Sequence, residues 1–219
     1  MSTRLPPAPV THGAIGLVLL MFVLQQFGGG QETLIRHLAL WPGLDPGDPR
    51  RAAGWPEFAP WQLLSYALLH GGGLHLFLNL FGLWMFGRPV EWAIGSRRMT
   101  FYLLLCVVGA GLSQLVAMSL EGEHRPTIGI SGGVMALLPA FAILFPKARI
   151  TLLIPPIPLP APVFVLLYAL IELSLGWSGA STGIAHFAHL GGMACGLVVL
   201  AAWYFGGELR PRPLQPPPD

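Results

Sequence analysis

Six apolar runs divide this chain, and they restrict its fold more than any other feature. They extend from Ala14 to Phe27, Leu74 to Phe86, Met99 to Met118, Ser131 to Phe145, Val163 to Leu175 and Ile184 to Phe205. Charge is scarce throughout: charged residues make up 10% of the chain, against roughly 25% in an ordinary soluble domain, and mean hydropathy is +0.63. A soluble globular domain and a disordered tail are both excluded. The runs imply one all-α, polytopic membrane bundle of six transmembrane helices. Runs two, four and five are shorter than the ~20 residues of a perpendicular span, so each borrows from its flanks or sits in a thinned bilayer.

The first run is followed by Gly28-Gly29-Gly30 with no A-x-A cleavage site, and reads as a retained span rather than a removed signal peptide. Basic residues then set the orientation. With the N-terminus inside, Arg4, Arg88, Arg97, Arg98, Lys147, Arg149, Arg210 and Arg212 lie on the inner side, and Arg36, Arg50, Arg51 and Arg125 on the outer. Both termini are therefore expected in the cytoplasm. The expected organisation is a short cytoplasmic N-terminus over residues 1–12 and a membrane domain over 13–206 with a long outer loop at 28–73. A Pro-rich, disordered cytoplasmic tail follows over 207–219. Trp41, Trp55, Phe58 and Trp61 favour the headgroup level, so the outer loop is expected to be partly structured and to lie on or in the outer leaflet. The stretch from Pro155 to Pro162 reads as a stiff cytoplasmic connector that cannot be helical throughout. Net charge is only +2, with Arg97 and Arg98 as a basic pair, so nucleic acid is not an expected partner. Cys106 and Cys195 sit inside apolar runs and define no disulfide framework.

Polar groups inside spans are costly and are functional candidates for that reason. His75 and Asn79 lie in the second run, Ser131 heads the fourth, and His186 and His189 lie in the sixth. These three helices run from outside to inside, and all five residues fall in their first one or two turns, so they share one shallow layer on the outer side. Ser131 stands in Gly129-Ile130-Ser131-Gly132-Gly133 at a loop-to-helix junction, where free backbone N–H groups point toward its oxygen. The same string also reads as a small-residue packing site. His75 and Asn79, four apart, share a helix face, either as two donors or as interhelical hydrogen-bond glue. Gly192 and Gly196 form a G-x-x-x-G string that lets the sixth helix approach a neighbour closely. If that neighbour is the fourth helix, with its smooth Gly132 and Ala136, His189 comes within reach of Ser131. A histidine beside a serine, with separate donors opposite, is the pattern of nucleophile, general base and oxyanion hole.

Other hydrolytic chemistries are excluded. No H-E-x-x-H occurs, and the only aspartates, Asp45, Asp48 and Asp219, lie outside the spans, which rules out an aspartyl dyad and leaves a Ser-His dyad. His70, His75 and His189 lack the i, i+4 spacing of metal ligands, so neither a metal nor a cofactor is expected.

Together these residues resemble a family. Trp61-Gln62-Leu63 leading to His70, then His75-Leu76-Phe77-Leu78-Asn79, Gly87 and Glu91, Gly129-Ile130-Ser131-Gly132, and Ala188-His189-Leu190-Gly191-Gly192 look like the successive signatures of the rhomboid intramembrane serine proteases. The likeness extends from about Trp61 to about Leu200. It implies a six-helix core with Ser131 as nucleophile and His189 as general base. By the same resemblance, His75, Asn79 and the Ser131 N–H stabilise the oxyanion, His70 is structural at the loop-helix junction, and Gly192 and Gly196 pack helix six on helix four. His186 is the rival base or a cap. The implied substrates are single-span membrane proteins cleaved near the outer end of their helix. A bacterial plasma membrane is the implied location. A non-catalytic, helix-binding member of the same fold is the alternative. With no carboxylate behind it, His189 is expected to be oriented by packing and turnover to be modest. Glu172, read as the one carboxylate in a span, is expected to hydrogen-bond at an interface or to gate substrate entry between helices two and five.

Overall fold

The computed structural model describes residues 7–27, 30–151, 156–179 and 183–208. In chain order its elements are α1 (Pro9–Phe27), α2 (Gln31–Leu38), α3 (Pro49–Ala52), α4 (Gln62–Ser65), α5 (Gly73–Gly82), α6 (Arg88–Ile94), α7 (Ser96–Glu121), α8 (Ser131–Leu144), β1 (Arg149–Thr151), β2 (Pro158–Pro160), α9 (Ala161–Trp177) and α10 (His186–Phe205). Helices α1, α7 and α10 are each long and apolar enough to cross a bilayer, while α8 and α9 are shorter apolar helices. Leu20, Leu105, Leu166 and Val198 are among many large apolar side chains left exposed around the bundle, as a lipid-facing surface requires. The molecule is an integral membrane protein built as a helical bundle.

The second run is longer than its apolar residues suggest. A wide, π-type turn at Leu83–Gly87 joins α5 to α6, so helix continues from Gly73 to Ile94. Pro89 accounts for the turn: it lacks an N–H and its ring crowds the carbonyl four residues earlier, and a widened turn relieves both. At its outer end this helix meets Gln62–Leu68 at 104°. The extension places Glu91 inside a span, which corrects the reading of Glu172 as the only carboxylate there.

Glu91 joins three helices. Its carboxylate, 2% exposed, accepts from Val10 N at 3.0 Å, Thr11 N at 2.8 Å, Thr11 Oγ1 at 2.7 Å and Ser96 Oγ at 2.7 Å. Two of these donors are first-turn amides of α1 that have no partner within their own helix. Helix α1 begins at Pro9, inside the stretch expected to be a free N-terminus.

The loop between α1 and α5 carries α2, α3 and α4 and is tied down by polar contacts. Trp61 Nε1 donates to His37 O at 2.9 Å, Ser65 Oγ to Leu38 O at 2.8 Å, and the buried Gln62 accepts from Trp41 N at 3.1 Å. Arg50 links the loop to the α7–α8 connection, since its guanidinium lies 2.5 Å from Asp48 and 2.6 Å from His124 Nε2. Hydrogen bonds from Arg50 hold the Asp48 carboxyl at about 2, below its ordinary value. On the opposite face β1 pairs antiparallel with β2, Arg149 opposite Pro160. Pro158 and Pro160 keep the connector out of helix until Ala161. The residues of the Pro-rich tail beyond 208 lie outside those described.

Helix α8 has 14 residues, roughly 21 Å of rise against the ~30 Å of a hydrocarbon core. Phe145, at its end, stacks on Trp92 near the end of α6, with centroids 6.4 Å apart.

Glu91→Ala strips α1 of its first-turn acceptor. The variant is expected to lose about 3 kcal/mol of stability, read as a lower thermal midpoint in detergent, whereas Glu91→Gln, which keeps one acceptor oxygen, loses less.

Candidate active site

A cavity of about 990 Å³ opens at the N-terminal end of α8. His75 and Asn79 from α5, Ser131 from α8, and His186 and His189 from α10 all lie on its wall. The five polar residues that depth alone grouped together thus share one space.

Ser131 is the first residue of α8, and the approach to it is fixed on both sides. Leu40 and Thr127 exchange backbone hydrogen bonds of 3.0 and 2.9 Å, and Gly129 N donates to Tyr66 O at 2.9 Å. Tyr66 is itself anchored by its hydroxyl to Val107 O at 2.8 Å. Gly129 has φ +116°, and a Cβ there would come within 2.8 Å of the His75 ring, so glycine is needed on two counts. The first intrahelical bond after this turn is Val134 N to Ile130 O. The amides of Ser131, Gly132 and Gly133 therefore have no acceptor within the helix and form its N-terminal donor set.

His189 owes its place to glycine packing. A Cβ at Gly192 would overlap the Gly132 carbonyl oxygen, and one at Gly132 would overlap the Ala110 methyl and stand 3.3 Å from Ala188 O. Gly196 leaves room for the Tyr102 hydroxyl, which donates to Ala136 O at 2.6 Å. Helices α7, α8 and α10 thus meet at near-backbone contact, and α10 packs on α7 and α8 more extensively than any other helices pack on each other.

His75 Nδ1 accepts from Gly71 N at 3.4 Å, which leaves the hydrogen on Nε2. Asn79 is buried and spends one amide hydrogen on His75 O at 2.9 Å, keeping the other. His70 is fully buried at the bend before α5. Gln25 of α1 clamps its backbone with paired bonds of 2.9 and 3.1 Å, and its ring lies 5.0 Å from that of His75.

Two glutamines within the apolar runs escape the depth argument. Gln25 is one. Gln114 of α7 is the other: its Oε1 accepts from Ala188 N at 3.1 Å, satisfying a first-turn amide of α10 between the two histidines. A polar residue in the middle of the third run was the available signal.

A rhomboid-domain family model matches residues 57–206. The chain belongs to the rhomboid family. Rhomboid protein 1, mitochondrial, of Saccharomyces cerevisiae is 30% identical to it over 70% of this chain and 45% of its own length. Rhomboid protease GluP of Bacillus subtilis is 28% identical over 88% of this chain and 34% of its own. For rhomboid protease GlpG of Pectobacterium atrosepticum the figures are 27%, 93% and 66%. The chain thus spans about a third to two thirds of the length of these curated relatives.

One expectation about this rhomboid is overturned at the site itself. A carboxylate does stand behind His189. Glu172 of α9 is 4% exposed; its Oε2 lies 2.6 Å from His186 Nδ1 and its Oε1 3.0 Å from His189 Nδ1. The second pair is close but not aligned as a hydrogen bond. Counting aspartates missed it because a glutamate one helix away supplies the acid.

Gly192→Ala is expected to push α10 off α8, lowering the thermal midpoint in detergent and misplacing His189 with loss of whatever reactivity Ser131 has. Gly16→Ala on the open face of α1, where an added Cβ meets nothing within 4 Å, is expected to change neither.

Proposed function

We propose that this rhomboid is an intramembrane serine endopeptidase acting through a Ser131–His189 pair. The observation that carries the reading is one cavity that holds a helix N-terminal serine, two histidines and two side-chain donors. His189 takes the Ser131 proton as the serine oxygen attacks the scissile carbonyl. His189 then returns that proton to the departing amine, and water completes hydrolysis by the reverse sequence. Negative charge on the tetrahedral oxygen is met by the Ser131 amide, by His75 Nε2–H and by the free Asn79 amide hydrogen. One such donor is worth about 3 to 4 kcal/mol. Irregular backbone at depth is tolerated beside a water-filled cavity, and the same cavity admits the water that hydrolysis consumes.

A substrate must present extended backbone at the depth of Ser131. Single-span membrane proteins whose helix is weakened by Gly, Ala or Pro near its outer end meet that demand. The relatives in Bacillus subtilis and Pectobacterium atrosepticum are named as rhomboid proteases, which supports the activity. The excess of inner basic residues supports a bacterial plasma membrane setting with both termini in the cytoplasm.

Fluorophosphonate labelling of the detergent-solubilised protein tests the assignment. Wild type is expected to label, Ser131→Ala not at all, and His189→Ala at least about a hundredfold more slowly. Equal labelling of wild type and Ser131→Ala would sink the catalytic reading and leave the helix-binding alternative. Loss in His186→Ala with His189→Ala unaffected would move the base by one turn.

A further inference from the structure

We infer that Glu172 is a positioning residue for the general base, orienting His189 through Nδ1 and countering the charge His189 takes up when it removes the Ser131 proton. The inference rests on the serine-protease reading above and adds to it a member from a third helix.

Three observations carry it. First, His189 Nδ1 is buried and makes no hydrogen bond in the described structure, while Glu172 Oε1 stands 3.0 Å away. A buried ring nitrogen with a carboxylate oxygen at that range has one available partner, and a modest rotation of either side chain aligns them. Catalytic hydrogen bonds are commonly loose before substrate binds and tighten afterwards. Second, the carboxylate is held from its other side. Oε2 is bonded to His186 Nδ1 at 2.6 Å, so Glu172 is fixed in place and Oε1 is the oxygen left for His189. Third, a carboxylate in an apolar span is costly unless it is paired, and its partners here are the Tyr168 hydroxyl of its own helix and both histidines of the cavity wall.

The proton inventory closes. Glu172 accepts from His189 Nδ1–H, which leaves Nε2 unprotonated and able to accept the Ser131 Oγ proton. The Oγ proton passes to Nε2 as the oxygen–carbon bond forms, and then goes to the amine as the carbon–nitrogen bond breaks. Glu172 remains ionised throughout and neither gains nor loses a proton. Other titratable or charged groups facing this pair are His186 beside it, His75 across the cavity on α5, Tyr168 one turn earlier on α9, and Glu121, Glu123 and Arg125 from the end of α7 and the loop after it.

The test is the pH profile of the fluorophosphonate labelling rate, together with the kcat and KM of a model transmembrane peptide, for the full chain in detergent. Glu172→Gln is expected to slow labelling roughly tenfold or more at pH 7. It should also move the acid limb of the profile to lower pH, because the imidazolium loses its counter-charge, and lower kcat while KM stays within about twofold. Glu172→Asp keeps the charge one methylene back. It should hold the acid limb near its wild-type position and the wild-type thermal midpoint while losing rate; if the glutamine variant fails to fold, a wild-type rate or a shifted limb in Glu172→Asp overturns the inference. Wild-type labelling with an unshifted limb in Glu172→Gln overturns the inference. So does a slower rate with an unshifted limb and a lowered thermal midpoint, which marks a merely structural role. Failure of the underlying protease reading shows separately, as labelling that survives Ser131→Ala.

Discussion

Everything around the Ser131 cavity depends on the contact of α10 with α8 through Gly192 and Gly132. In a bilayer the lipid tails are as apolar as leucine, so helices gain little from burying apolar surface against one another. Close van der Waals approach has to supply the attraction. At Gly192 the approach is so tight that a single methyl group would occupy the Gly132 carbonyl oxygen. Ser131 is the residue before Gly132, and His189 is one turn before Gly192. The packing interface and the chemical site are therefore one piece of structure: whatever separates the helices also separates the serine from the histidine.

A second constraint acts on the chain leading into Ser131. Non-helical backbone within the membrane thickness must find partners for its N–H and C=O groups. Here the partners come from the loop between α1 and α5, through the Leu40–Thr127 bridge and the Gly129–Tyr66 bond, and Tyr66 is in turn fixed to α7. This gives the long loop between α1 and α5 a function in the fold that its sequence does not advertise. Its tryptophans and its glutamine do more than meet headgroups; they hold the frame against which the approach to the serine is hydrogen-bonded.

Those two constraints explain what could be read from the residues and what could not. Apolar runs revealed the helices because lipid demands about 20 apolar residues of any chain that crosses it. The end of the second helix was obscure because α6 carries Arg88, Pro89 and Glu91 within seven residues, and packing against α7, α8 and α1 supports it as helix. The candidate site was legible for a related reason: His75, Asn79, Ser131 and His189 are polar exceptions in apolar surroundings, and a common depth can be counted along helices. Glu172 was visible as an exception too, but its partners were not. Depth along a helix says nothing of rotation about it, and rotation decides whether a carboxylate faces lipid, an interface or an imidazole.

Comparison of the two buried carboxylates makes the same point from energetics. An ionised carboxylate taken from water costs several kcal/mol unless its oxygens are met by donors. Glu91 is met by four, two backbone amides and two hydroxyls, none of which titrates in the physiological range. That is the environment of a strut. Glu172 is met by the Tyr168 hydroxyl and by two imidazoles on the cavity wall, and one of the imidazoles is close without being aligned. Imidazole is the side chain whose charge changes most readily near neutrality, and an unaligned contact is one that can still tighten. A carboxylate needed only to join α9 to α10 has no need of two imidazoles among its partners. Its placement between two histidines is explained when one of those histidines has to accept a proton and give it back.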